Sequence, residues 1–317
     1  MFVMLCAMNR CNKTTINNSV IGRYAPSPTG DLHLGNLRTA LLAWLHARVQ
    51  GGQFLLRMED LDQPRVVGGS ADQILRDLEW LGLDWDGGVV YQSDRLNLYQ
   101  DALDQLSSDN LVYPCFCSRK DIQQAISAPH SQFSLYPGTC ANLSSEEQRQ
   151  KQQLKAPSLR VRVGDNAVSF NDGCLGVNKE TLKDSCGDFV IKRADGLFAY
   201  QLAVIVDDID QEITDVVRGE DLLDSTARQI YLAKQLGAQT QINYWHVPLL
   251  LDDDGNRMSK RDGSQSILQW REQGKDASQL IAHLASSVNL IDQADSITAR
   301  QLLDEISVDM LIDAVQV

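Results

Sequence analysis

The 317-residue chain has no apolar run approaching the roughly 18–20 residues needed to cross a bilayer. The longest clean run, residues 1–8, is too short, and Arg10 follows it instead of preceding it, the wrong order for a secretion signal. Residues 1–19 therefore read as a disordered leader, with Met4 and Met8 as further starts, and the cytoplasm is the expected compartment, with no membrane partner. Positive charge is in deficit: 29 Lys and Arg stand against 42 Asp and Glu, a balance of −13. Such a chain repels a polyanion at long range, so a nucleic-acid partner must be met by a local basic surface. Internal repeats and low-complexity tracts are missing. With 43% hydrophobic and 22% charged residues, 21 Gly and 8 Pro, the chain is neither disordered nor collagen-like, and its length suits about two domains. An odd number of cysteines, seven, without a secretion signal argues against a disulfide framework.

What is there begins with a strand expected over 20–24. It runs into Ala25-Pro26-Ser27-Pro28-Thr29-Gly30, where two prolines and a glycine forbid regular structure. Leu37, Ala40, Leu41, Trp44 and Leu45 then recur at helical spacing, Gly51-Gly52 supply a stop, and 53–58 read as a second strand. Strand, loop, helix, strand is a βαβ unit and implies a parallel sheet, hence an α/β fold. Helices are expected over 71–81, 96–106 and 225–237, strands over 198–207 and 212–217, and three or four short helices over 265–317. A segment rich in Cys, Pro, His and Gln, 113–160, reads as the body of an insertion. The expected organisation is a catalytic domain at 20–112 and 195–262, an insertion at 113–194 and a helical tail at 263–317.

Two constellations carry chemistry. Residues 23–36 lie between a strand and a helix, at the carboxyl end of the strand, where open α/β sheets bind ligands. The helix N-terminus near Asn36 offers N–H groups to a phosphate, Gly35 admits a ligand close to the backbone, and His33 can donate to a phosphoryl oxygen. Arg257-Met258-Ser259-Lys260-Arg261 sets three cations within five residues after a turn-rich segment, and such a loop can neutralise a departing pyrophosphate. Each alone has a plainer reading, His33 as a helix-cap neighbour and 257–261 as a solvated face.

Together they are specific. His33-Leu34-Gly35-Asn36 and Arg257-Met258-Ser259-Lys260-Arg261 resemble the two signatures of the class I aminoacyl-tRNA synthetases, a His-x-Gly-His-type tetrad and a Lys-Met-Ser-Lys-Ser-type loop. Asn36 replaces the last His and can still donate a hydrogen bond; Arg257 and Arg261 also depart from the pattern, while Lys260 keeps its place. Arg23–Gly30, Glu59-Asp60-Leu61-Asp62, 200–208 and 217–223 are similar to the glutamate branch of that family, and the resemblance covers about residues 20–270.

The resemblance implies a ligase of the synthetase type: a class I parallel nucleotide-binding sheet with a zinc-bearing insertion and a short helical tail in place of an anticodon-binding portion. It implies ATP, accompanied by Mg²⁺, at His33, Gly35, Asn36, Met258, Ser259 and Lys260, with His33, Asn36 and Lys260 catalytic. It implies L-glutamate at Arg23, Tyr24, Ala25, Pro26, Ser27, Glu59, Tyr200 and Arg218. The truncated branch further implies transfer of glutamate to the queuosine base in the anticodon stem-loop of tRNA(Asp). The rivals are a shortened enzyme charging a tRNA 3′ end and a silent RNA-binding paralogue.

Residue chemistry agrees independently with glutamate, which has two carboxylates and one ammonium. Arg23 and Arg218 can each fork a carboxylate, in either order, Glu59 can take the ammonium, and Ser27 and Tyr200 offer hydroxyls. Alone, Glu59 or Arg218 reads as half of a structural ion pair.

Cys115, Cys117 and Cys140 form a metal candidate, since a closed structural zinc site takes four ligands and thiolates suit it. Spacing leaves His130 and Tyr136 both available as the fourth, with imidazole the commoner ligand. The family pattern places a Tyr four residues before the last Cys, which selects Tyr136.

Overall fold

The computed structural model describes residues 19–126, 135–250, 267–292 and 294–315. The expected leader, His130 and the segment 257–261 thus lie outside the described residues. In chain order the strands are β1 (Ile21–Tyr24), β2 (Gln53–Met58), β3 (Val90–Tyr91), β4 (Val112–Cys115), β5 (Ser158–Val161), β6 (Ala167–Asp172), β7 (Gly176–Thr181), β8 (Phe189–Lys192), β9 (Asp215–Gly219) and β10 (Asn243–Val247). The helices are α1 (Leu34–Val49), α2 (Ser70–Leu81), α3 (Leu96–Ser108), α4 (Arg119–Ile126), α5 (Ser145–Leu154) and α6 (Leu182–Ser185). They continue with α7 (Tyr200–Asp210), α8 (Leu223–Gln235), α9 (Ile267–Glu272), α10 (Ala277–Ser286), α11 (Ala299–Glu305) and α12 (Val308–Val315). Among the described residues no helix is long and apolar enough to cross a membrane.

The main sheet runs β3-β2-β1-β9-β10-β6-β7, and β4-β5-β8 form a smaller antiparallel sheet. Neighbours from β3 to β6 are parallel, as the βαβ unit requires, and β7 closes the sheet as an antiparallel hairpin with β6. The hairpin β6–β7 comes from within residues 113–194, so the main sheet draws two strands from that segment. Gly173 makes this docking possible: a Cβ there would stand 2.1 Å from the Trp245 ring on β10.

Helix α1 decides where the core sits. Leu34, Leu37, Ala40 through Leu45 and Ala47 are all buried, as are Arg38 and His46, so the helix is enclosed around most of its circumference. One side packs on β1 and β9, the other on α10, α11 and α12, and Leu280, Leu284, Leu302 and Leu311 share one core with it. The helices expected at the C-terminal end are therefore present, and they form the outer wall of the main-sheet core.

Two expectations change. Residues 198–207, read as a strand, form most of α7. A continuous apolar run such as Leu202–Val206, buried throughout, carries no period that separates a buried strand from a buried helix. The following strand starts at Asp215, later than 212, because Glu212 takes a left-handed turn (φ 54°) and Ile213 bonds back to the Asp208 carbonyl.

Candidate active site

The order of strands places the site before any side chain is considered. The chain steps outward from β1 to β2 on one side and from β9 to β10 on the other, so β1 and β9 flank a switch point, where a crevice opens beyond the carboxyl ends. A cleft of about 910 Å³ lies there. It gathers Arg23, Tyr24, Ala25, Pro26 and Ser27 from β1 and the loop after it, His33, Gly35 and Asn36 from the start of α1, Glu59 from beyond β2, Tyr200 from α7 and Arg218 from β9. Every described residue expected to hold glutamate or ATP thus lines one cavity. Met258, Ser259 and Lys260 lie outside the described residues.

The two arginines differ in their partners. Arg23 is 4% exposed, with Nε 3.4 Å from Asp208 Oδ1. Arg218 is equally buried, yet its hydrogen bonds go to neutral groups: Nε to His246 Nε2 (3.1 Å), one amino group to Gln229 Oε1 (2.8 Å) and Tyr200 Oη (3.5 Å), the other to Thr226 Oγ1 (2.8 Å). No described carboxylate lies within ion-pair distance of it. A buried guanidinium with no carboxylate in direct contact is costly to maintain, so the arrangement invites a carboxylate from a ligand.

Glu59 shows the converse. Its Oε1 is buried without a hydrogen bond and lies 3.7 Å from an Arg57 amino group. Burial pushes its carboxyl up to about 7, against the pull of Arg57 and Arg23. Arg57 is wholly buried and is committed elsewhere, at 2.8 Å to Asp208 Oδ1 and 2.7 Å to Gln211 Oε1. Burial also opposes ionisation of Asp208, but Arg57 and Arg23 outweigh it and hold that carboxyl below the usual range. Arg57, Asp207 and Asp208 form the floor beneath Glu59, and sequence reasoning missed this network. The available signal was an Arg inside an otherwise apolar strand, facing two acids inside an apolar helix.

His33 is the N-cap of α1, its Nδ1 accepting from the Asn36 N–H (3.4 Å). The cap reading and the ligand reading therefore coexist: a ring that accepts at Nδ1 carries its proton on Nε2. At Gly35 a Cβ would come 3.2 Å from the His33 ring, so this glycine first makes room for the imidazole.

A second cluster sits at the end of β4. The Sγ atoms of Cys115, Cys117 and Cys140 lie within 4.8 Å of one another, with Cys117 and Cys140 at 3.6 Å. Tyr136 Oη is 3.3 Å from Cys115 Sγ and accepts from the Cys140 N–H (3.0 Å). Tetrahedral zinc with Zn–S bonds of about 2.3 Å sets sulfurs roughly 3.8 Å apart, so the three thiols fit a metal with little adjustment. Cys174 and Cys186 stand outside this group.

The comparisons with known proteins agree with this geometry. Residues 19–316 match the family of class I tRNA synthetases (E and Q), catalytic domain. A glutamyl-Q tRNA(Asp) synthetase of Symbiobacterium thermophilum is 45% identical over 294 residues, covering 89% of this chain and 90% of that protein. One of Geobacter sulfurreducens is 49% identical over 274 residues, covering 86% and 85%. A solved glutamate tRNA ligase from Elizabethkingia meningosepticum, in complex with its amino acid, aligns with a TM-score of 0.80 and 27% identity. That alignment covers 94% of this chain and 66% of the other. The switch-point cleft, the signature at the start of α1 and the match over nearly the whole sequence lead to one conclusion: the chain belongs to the class I tRNA synthetases of the glutamate and glutamine type, and is a ligase.

Proposed function

We propose that the cleft activates L-glutamate with ATP and transfers it to the queuosine base at the anticodon wobble position of tRNA(Asp). The observation that carries the amino-acid half is the complementary pair of deficits: Arg218, a buried cation with neutral partners, and Glu59, a buried carboxyl without a hydrogen bond, line the same cavity. An amino acid with a second carboxylate satisfies both. Arg218 and Arg23 take carboxylates, Glu59 takes the ammonium, Ser27 and Tyr200 supply hydroxyls, and the backbone from Tyr24 to Pro26 forms the wall.

A glutamate carboxylate oxygen attacks the α-phosphorus of ATP, and pyrophosphate leaves. Positioning and charge neutralisation supply most of the acceleration. His33 Nε2–H and Asn36 hold phosphoryl oxygens above the N-terminus of α1, beside Gly35, and Lys260, with Met258 and Ser259, meets the pyrophosphate. Mg²⁺ accompanies ATP. A hydroxyl of the queuosine cyclopentenediol then attacks the acyl carbonyl and AMP leaves. The relatives named glutamyl-Q tRNA(Asp) synthetase, matched over 85–90% of their length, support this acceptor. One Zn²⁺ held by Cys115, Cys117, Cys140 and Tyr136 fastens the end of β4 to the segment 136–140, a structural contribution.

The test is glutamylation of tRNA(Asp) carrying or lacking queuosine, with the label located. Label in the anticodon stem-loop only when queuosine is present is the expected result. Label at the 3′ end irrespective of queuosine assigns the chain to 3′ charging instead.

A further inference from the structure

His246 lies on β10, fully buried, and neither motif contains it. Its Nε2 accepts from Arg218 Nε at 3.1 Å, so its ring proton sits on Nδ1, which donates to Asp172 Oδ2 at 2.5 Å. Asp172, at the end of β6, is itself fixed: its Oδ1 accepts the backbone N–H groups of Cys174 (3.0 Å), Leu175 (3.1 Å) and His246 (3.2 Å). Thr226 Oγ1 stands 3.1 Å from the same Nε2, and the ring stacks on Tyr244. Burial foremost, and then the charge of Arg218, hold the imidazole below its usual range against the pull of Asp172, so the ring stays neutral.

We propose that Asp172 and His246 are positioning residues for substrate recognition: Asp172 selects the tautomer in which His246 presents a lone pair to Arg218, and this aims the guanidinium at the glutamate carboxylate. The inference rests on the reading of Arg218 as a carboxylate ligand. Of the neutral acceptors around Arg218, only His246 binds Nε, the atom that sets the tilt of the guanidinium plane. The hairpin β6–β7 thereby acquires a reason to join the main sheet, since it delivers Asp172 behind the pocket.

The polarity of the relay makes it testable with isosteric changes. In Asp172→Asn the three backbone N–H groups keep the amide oxygen, so the amide N–H must face His246 Nδ1. Nδ1 then becomes an acceptor, the ring proton moves to Nε2, and two donors oppose each other at Arg218. His246→Gln carries an acceptor and a donor side by side and can keep the original polarity. In ATP–pyrophosphate exchange, Asp172→Asn should raise the KM for glutamate about 10–100-fold with the KM for ATP unchanged, and His246→Gln should stay within about threefold of the parent. Ring ¹⁵N spectra of the full-length protein should show Nδ1–H in the parent and Nε2–H in Asp172→Asn. A parent-like glutamate KM in Asp172→Asn, or a ring proton already on Nε2 in the parent, overturns the proposal. So does a loss that falls equally on ATP and glutamate and follows thermal stability. Arg218→Lys separates the two levels: if it raises the glutamate KM while Asp172→Asn does not, only the relay fails. If it leaves glutamate binding intact, the reading of Arg218 itself fails.

Discussion

Glu59 and Arg218 line one cavity with opposite charges, yet neither serves as the other's partner, and their responses to substitution should differ in kind. For Glu59 the sign follows from its carboxyl standing at about 7, above its ordinary 4.5. The folded state holds a proton that the unfolded state gives up earlier, so the free protein loses stability as pH rises from about 4.5 through 7. Glutamate affinity should move the opposite way over the same window, because in the proposed mode of binding the ammonium needs the ionised carboxyl. Glutamate binding near pH 6 should therefore release about one proton, read from calorimetric heats in buffers of different ionisation enthalpy. Glu59→Gln should abolish both the release and activation, and raise the melting temperature of the free protein above pH 7. Arg218→Ala should instead lower kcat/KM for glutamate by about 30- to 5,000-fold, equivalent to ~2–5 kcal/mol, while a calorimetric titration with ATP is unchanged. Lys260→Ala belongs to a third kind: in the proposed mechanism its charge meets a leaving group, so single-turnover adenylate formation should slow more than the glutamate KM rises.

At the scale of elements, the cysteine cluster ties β4 to the segment 136–140, and its prediction is structural. Cys115→Ser should release the metal and expose residues 113–140 to limited proteolysis, Tyr136→Phe should weaken retention, and His130→Ala should leave it unchanged, the metal content being read by metal analysis after dialysis. Reversal of the last two results hands the fourth position to His130. The same scale shows what was legible in the amino-acid order. β1, α1 and β2 were readable because a breaker-rich loop and a Gly-Gly stop punctuate them. The described residues around the cleft were readable because His33-Leu34-Gly35-Asn36 and the stretches similar to the glutamate branch, 23–30, 59–62, 200–208 and 217–223, mark them. Helix α7 was not, since a helix buried on all sides writes an unbroken apolar run. Nor was His246, because a histidine in a five-residue strand looks the same whether it is satisfied in the core or a brace behind a pocket. Its partner Asp172 lies 74 residues away in sequence, and only the docking of β6 beside β10 brings them together.

Across the whole molecule, the acidic balance of −13 constrains the encounter with RNA. Contact through a few Arg and Lys should give a shallow dependence of affinity on salt compared with a protein that neutralises many phosphates. A queuosine-bearing stem-loop should then be glutamylated nearly as well as intact tRNA(Asp), measured by kcat/KM at two salt concentrations. The shared core makes a second prediction. Leu302→Ala, in α11, removes a wholly buried side chain packed in the same cluster as α1 and should cost about 2–5 kcal/mol. Urea unfolding followed by tryptophan fluorescence and by circular dichroism should still give coincident transitions, since tail and sheet share that core.

That shared core also has a consequence in time. Helix α1 is complete by residue 49, but the side chains that cover its outer face reside in 280–315. On the ribosome, at about 5–20 residues per second, α1 therefore spends more than ten seconds with an apolar flank and nothing of its own chain to place there. The nascent chain is sticky for nearly its entire synthesis, and its need for a holding chaperone should be relieved abruptly when the last helices emerge.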